Sequence, residues 1–257
     1  MSDLALLTFD GPVATLAFNR PDTANALSID LLDAAAARVR ELEARYAAGD
    51  GPTVVVLTGT GRAFCAGMDL AQVIVEKPGD DATPRALLTG LADFTIALRR
   101  LPGVVVAKVN GPAIGGGCGL TCVADVSITH AANKVGFPEV DMGICPAVVA
   151  PWLVRKIGPG PARRVLLSGG LMSGREAHEA GLIDHCVDTP EQLDAAMSEM
   201  VSRLATGGPL ALAATKRLLN DLDGSMDVQL VRRGAELSAQ VLCTEPAQAA
   251  LRARRKK

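Results

Sequence analysis

The stretch GPAIGGGCGLTCVADVSI, Gly111–Ile128, decides how this chain is read. Three consecutive glycines, Gly115–Gly117, open an otherwise apolar run. Glycine inside a helix costs about 1 kcal/mol relative to alanine, so such a run either serves the backbone or is a plain loop. Just before it, GVVVAKVNG has the all-apolar pattern of a strand buried on both faces. Just after it, an apolar helical segment gives way to ADVSITH, which reads as another strand. Backbone N–H groups at a helix N-terminus are unpaired, with the positive end of the helix dipole behind them. Glycines let such groups meet a ligand oxygen with no side chain in the way. Close packing of a helix on a strand favours glycine equally well. The spacing is not a dinucleotide fingerprint, because Leu120 stands where a third glycine would fall. Nor is it a phosphate loop, because no Gly-Lys-Ser/Thr follows.

Working toward the N-terminus, TVVVLTG is a second buried strand stopped by Gly59, and RALLTGLADFTIALRRL is a helix between the two. ALLTFDGPVATLAFNRP reads as two strands around a turn at Asp10-Gly11-Pro12. Ser28 is placed as an N-cap, followed by Asp30. Leu32, Ala35, Val39, Leu42 and Tyr46 then recur at helical spacing until Gly49. Working toward the C-terminus, KVGFPEV is a short strand ending in a turn, and IDHCV is a last short strand. Ser173 and Glu176 form a capping box, and Pro190, Pro209 and Pro246 stand near helix starts. The reading is an α/β core over residues 1–200 and a helical region over 201–257. Its apolar positions Leu210, Ala214 and Leu218 must cover the core or a partner subunit.

Composition bounds the function. The 257 residues suit one large domain, and 49% apolar with only 3% aromatic residues means an aliphatic core. A formal net charge of −2 argues against nucleic acid as a partner. No apolar run approaches the roughly 20 residues that cross a bilayer, so no membrane is expected. The opening residues lack the pattern of a signal peptide, and the six cysteines contain no C-x-x-C. A cytoplasmic chain with reduced thiols is expected. The three histidines have no metal spacing, and no metal site is expected.

Two further stretches carry chemistry. GRAFCAGMDL, Gly61–Leu70, follows a buried strand, and its small Ala66 and Gly67 would let backbone approach a ligand. The plainer alternative is a loop whose Asp69 caps a helix. In VGFPEVDMGICPAVVAPWL, Glu139 stands among Val135, Phe137, Val140, Met142 and Ile144. Apolar surroundings raise a carboxyl pKa toward neutrality, which suits proton transfer. The alternative is a rim carboxylate paired with an arginine.

The order of NRPDTANALS, FCAGMDL, VNGPAIGGGCGL, ADVSI, VGFPEV, LLSGGLMSGREAHEAGLID and PLALAATKRLL resembles the enoyl-CoA hydratase/isomerase (crotonase) family, from about Leu4 to Leu222. The resemblance implies a crotonase-like α/β spiral of β-β-α turns with a helical C-terminal region that builds homotrimers, often paired into hexamers. It implies an acyl-CoA thioester substrate of fatty-acid type, with coenzyme A as part of the substrate and no separate cofactor. By motif position, the amides of Met68 and Gly116 would bind the thioester oxygen as an oxyanion hole. Gly67, Gly115 and Gly119 would line the substrate site, and Glu139 would carry the proton. Ala24, Ala26 and Ala66 fall where relatives contact coenzyme A through backbone. Arg62 and the basic tail Arg252–Lys257 are candidates for its phosphates, although a solvated, frayed tail is the plainer reading. Classical hydratases of the family carry a second glutamate where this chain has Gly119. A lone carboxylate is characteristic of family isomerases. GFPEVDMGICPAVVAPWLVRKIG, however, looks more like hydratases of branched, methylglutaconyl-type substrates, with Asp141 or Glu76 as helpers. The resemblance therefore implies hydration of a 2-enoyl-CoA, with isomerisation between 3- and 2-enoyl-CoA as the alternative. A catalytically weak acyl-CoA binder is a third reading.

Overall fold

The computed structural model describes residues 3–75 and 81–255. Strands β1 (Ala5–Asp10) and β2 (Val13–Phe18) form a hairpin around the Asp10-Gly11-Pro12 turn, pairing Asp10 with Val13. Helix α1 (Ile29–Ala48) starts where expected. Ser28 accepts a hydrogen bond from the Leu31 N–H, and Gly49 ends the helix in a left-handed conformation. Strand β3 (Val54–Gly59), the single turn α2 (Leu70–Val73), helix α3 (Ala82–Arg100) and strand β4 (Val104–Lys108) follow. Next come the two-residue strand β5 (Ala113–Ile114), α4 (Gly116–Val123), β6 (Val126–His130) and β7 (Lys134–Gly136).

After β7 the chain is mostly helical: α5 (Ala150–Ile157), α6 (Pro159–Ser168) and α7 (Gly174–Glu179), then α8 (Pro190–Ala205), α9 (Pro209–Leu222), α10 (Val228–Leu242) and α11 (Glu245–Arg255). Short strands β8 (Leu171–Ser173) and β9 (His185–Val187) interrupt it. The Ser173–Glu176 capping box is present.

The larger sheet has the order β1-β2-β3-β4-β6-β9. Only the β1–β2 hairpin is antiparallel; β2 through β9 run parallel. A parallel sheet needs helices on its faces, which is why Val54, Val55, Leu57, Val105, Val106 and Ala107 are buried on both sides. A second sheet, β5-β7-β8, was not legible in the sequence beyond β7. Its strands are two or three residues long, too short for periodicity to register. The main core gathers α1, α3 and α4 around Phe18, Phe64 and Phe94, whose ring centroids lie 6.1–6.3 Å from Phe18. Trp152 belongs to this core, with its indole N–H donating to Thr95 Oγ1 at 3.2 Å.

Helix α8 runs through residue 200, so the boundary proposed there falls inside an element. Helix α10 packs on α3, which ties the C-terminal helices to the core. Helix α9 leaves Leu210, Leu218, Leu219 and Leu222 exposed, Leu210 at 86%. No helix of the described residues is long and apolar enough to cross a membrane.

Candidate active site

Three loops leave the C-terminal ends of the parallel strands β2, β3 and β4. In open parallel sheets that edge is where ligands bind. The register aligns the strand ends, pairing Phe18 with Gly59 and Leu57 with Ala107. The hydrogen-bonding pattern continues into the loops. Ala66 N–H donates to Ala24 O at 3.0 Å and Leu27 N–H to Gly67 O at 2.7 Å. Asp69 N–H donates to Leu27 O at 2.9 Å. On the other edge of the same loop, Cys65 N–H donates to Pro112 O at 3.0 Å and Ile114 N–H to Cys65 O at 3.0 Å.

These bonds orient Met68. Its flanking residues Gly67 and Asp69 bond to Leu27, so the Met68 N–H points to the opposite edge, where Ala113–Gly116 runs. Gly67 has φ +88°, and a Cβ there would lie 2.8 Å from Ile114 O and 3.9 Å from Gly116 N. Gly115 N–H is occupied by Gly136 O at 2.8 Å. Neither Met68 N–H nor Gly116 N–H donates to a described residue. Gly116 opens α4, so its amide also carries the positive end of that helix.

The packing explanation for the glycines holds as well. A Cβ on Gly116 would come 3.0 Å from Leu27 Cδ1 and 3.2 Å from Leu91 Cδ2, and one on Gly117 2.8 Å from Cys65 Cβ. The run serves close approach and open amides together.

Glu139 follows β7 and starts a short 3-10 turn, Val140–Met142. It is 5% exposed, and its neighbours in sequence Val135, Phe137 and Ile144 are buried too. Its Oε2 has no hydrogen-bond partner among the described residues. No described arginine pairs with it, which removes the rim-carboxylate alternative. Burial pushes its pKa up to about 7, its own backbone N–H opposing slightly. The carboxyl lies against Gly115, where a Cβ would sit 2.8 Å from Oε1.

The remaining expected residues are placed as follows. Ala24 and Asn25 both adopt left-handed backbone, φ 52° and 56°, which is uncommon for residues other than glycine. The N–H of Ala24 donates to Pro21 O and that of Ala26 to Thr23 O. Ala26 O accepts from Arg20 at 2.6 Å. Ala66 is half-buried between these loops, and Arg62 is exposed at the turn after β3, without an ion pair among the described residues. Gly119 is buried beneath Val149. Asp141, one suggested helper, is exposed, and its carboxylate accepts the Gly170 N–H at 2.8 Å. Glu76 lies outside the described residues. The tail is not frayed through Arg254, since Arg252 donates to Val75 O at 3.2 Å and Arg254 to Asp141 O at 3.0 Å. Asp69 does cap a helix, accepting from Ala71 N–H at 3.0 Å.

Sequence reasoning missed the side chains that hold the loops. Buried Asn25 donates to Thr60 O at 2.9 Å and Ala63 O at 2.8 Å, and accepts from Arg20 N–H. Arg20 reaches Asp69 at 3.1 Å, and Asn110 donates to Gly59 O and Gly61 O. Only Asn25's tolerance of left-handed backbone could have signalled its role.

Fold and site together define an α/β spiral in which the open Gly116 amide directly follows Gly115, against which one buried acid lies. The chain belongs to the enoyl-CoA hydratase/isomerase family, whose profile it matches over residues 8–249. It is 34% identical over 223 residues to a Bacillus subtilis protein named putative enoyl-CoA hydratase/isomerase YngF, covering 86% of this chain and 83% of that one. It is 34% identical over 200 residues to the Alternaria alternata protein named enoyl-CoA hydratase ACTT6. That match covers 78% of this chain but only 64% of the relative's length. A solved enoyl-CoA hydratase/isomerase from Mycobacterium paratuberculosis superposes with a TM-score of 0.84 at 26% identity, covering 98% and 99% of the two chains. The expected α/β crotonase fold is thus the observed one.

Proposed function

We propose that this protein is an enoyl-CoA hydratase that adds water across the double bond of a 2-enoyl-CoA thioester. The observation that carries the proposal is the unpaired, buried Glu139 carboxyl set against Gly115, at the start of the helix whose first amide is open. The thioester oxygen would accept from Met68 N–H and Gly116 N–H. One such donor is worth about 3–4 kcal/mol when the oxygen becomes an enolate. Ionised Glu139 takes a proton from water as the oxygen bonds to the β-carbon, and the π electrons move onto the thioester oxygen. Protonated Glu139 then returns the proton to the α-carbon, and the net addition is one water. A pKa near 7 keeps both protonation states within reach at neutral pH.

A second reading is favoured by one observation: Val149 covers Gly119, so no second carboxylate can stand there. In that reading Glu139 moves one proton between the α- and γ-carbons, as a 3-enoyl-CoA/2-enoyl-CoA isomerase. Turnover in isotopically labelled water separates the two. Label from the solvent oxygen enters the product of hydration and not that of isomerisation. An acyl-CoA that raises the melting temperature without turnover would instead indicate a binder.

Arg62, exposed and without an ion pair among the described residues, is available to the phosphates of coenzyme A. Backbone of Ala24, Ala26 and Ala66 would line the nucleotide end. The exposed leucines of α9 support assembly as a homotrimer or a hexamer, which light scattering would measure. A cytoplasmic location is part of the same proposal.

A further inference from the structure

Gly115, the N-cap of α4, and Gly119, on its first turn, are joined by the Gly119 N–H to Gly115 O hydrogen bond at 2.8 Å. The two glycines have different neighbours. At the level of Gly115 stands the Glu139 carboxyl, and at the level of Gly119 stands the isopropyl group of Val149. Val149 is 2% exposed, and a Cβ on Gly119 would lie 2.7 Å from its Cβ. Such a contact is too close even for the alanine side chain that remains after Val149→Ala. Val149 cannot swing away, because it caps α5: its carbonyl accepts from Trp152 N–H and Leu153 N–H, both at 3.1 Å. Trp152 is itself locked in the core.

We propose that Val149 is the specificity-determining residue that holds this site to a single carboxylate. It fills the space over Gly119, one hydrogen-bonded turn from Gly115 and the Glu139 carboxyl, and presents an apolar wall where a second acid would stand. The glycine at 119 is then a consequence of Val149 rather than a free vacancy. This rests on Glu139 being the proton carrier. The helix N-cap position tolerates glycine, so Val149→Gly is a usable relief of the contact.

The experiment compares Gly119→Glu, Val149→Gly and the double variant, with Glu139→Gln measured alongside. Gly119→Glu alone is expected to lower the melting temperature sharply and to abolish turnover. The double variant regains both, with hydration of a straight-chain 2-enoyl-CoA about 10-fold or more above Gly119→Glu. Its kcat–pH profile gains a second apparent pKa that neither single variant shows, a signature that mere repacking would not produce. Where Gly119→Glu does not fold, the same cycle is read with Gly119→Ala, whose melting temperature must recover when Val149→Gly is added. If Gly119→Ala and Gly119→Glu are as stable alone as with Val149→Gly, Val149 excludes nothing and the proposal fails. The proposal also fails if the double variant recovers stability while its pH profile keeps one limb. If Glu139→Gln keeps full turnover, the reading of the site itself fails, whatever the cycle gives.

Discussion

The carboxyl of Glu139 lies against the backbone of Gly115, so close that a Cβ on Gly115 would sit 2.8 Å from Oε1. Gly115 has φ +55°, a conformation that L side chains rarely adopt, and its N–H is held by Gly136. Gly115→Ala therefore meets two obstacles: backbone strain and displacement of the acid. We expect a loss of about 1–3 kcal/mol in stability. We also expect a fall of at least about 100-fold in kcat/KM on an enoyl-CoA substrate. Denaturant unfolding and steady-state turnover check the two separately.

Glu139→Gln keeps the shape of the side chain and removes its proton chemistry. Turnover should fall by about 100- to 10,000-fold. A binding measurement with a saturated acyl-CoA should change little.

The raised pKa of Glu139 makes stability depend on pH. Between the ordinary value of 4.5 and about 7, the folded chain holds a proton on Glu139 that the unfolded chain has lost. Stability therefore falls as pH rises through that window and levels off above it. The difference is about 3 kcal/mol on the plateau. Glu139→Gln should remove this slope, so the gap in unfolding free energy between variant and parent should widen from pH 4.5 to 7 and then stay flat. A gap that does not change with pH would mean that the carboxyl is solvated in solution.

The same group sets the rate profile. If ionised Glu139 activates water, kcat/KM rises with pH through an apparent pKa of about 7 in the free enzyme. A profile flat from pH 5 to 9 would remove Glu139 as the base.

The thiols differ in access. Burial pushes Cys65 and Cys122 up to about 12 and raises Cys118 well above its ordinary value. Alkylation of the native chain at neutral pH should spare these three and reach Cys145, Cys186 and Cys243 first. All six should react after denaturation, as mass spectrometry would show.

Asp125 joins α9 to the core. It pairs with buried Lys216 at 2.7 Å and with Arg99 at 3.1 Å, and accepts the Val105 N–H at 2.8 Å. Asp125→Ala leaves the Lys216 cation with only the Gly103 carbonyl among the described residues. A loss of about 3–5 kcal/mol is expected by chemical denaturation. Lys216→Met should lose less, because no buried cation is stranded.

What the sequence determined by itself was local or carried by motif. The buried strands Val54–Gly59 and Val104–Lys108, the Ser28 cap, the capping box at Ser173 and the family all follow from short-range pattern. Periodicity and capping depend on neighbours within a few residues, so a linear reading finds them. It also found Glu139 and the glycine run, because a lone acid among apolar residues and three glycines are local anomalies. Tertiary structure alone decided which side chains meet. The joining of the Arg20–Ser28 and Thr60–Asp69 loops by Asn25 depends on crossovers that bring distant segments together, as does the pairing of β5, β7 and β8. The seating of Val149 over Gly119, thirty positions away, is of the same kind. No window of sequence holds that information, because the contact is fixed by how α4 and α5 pack.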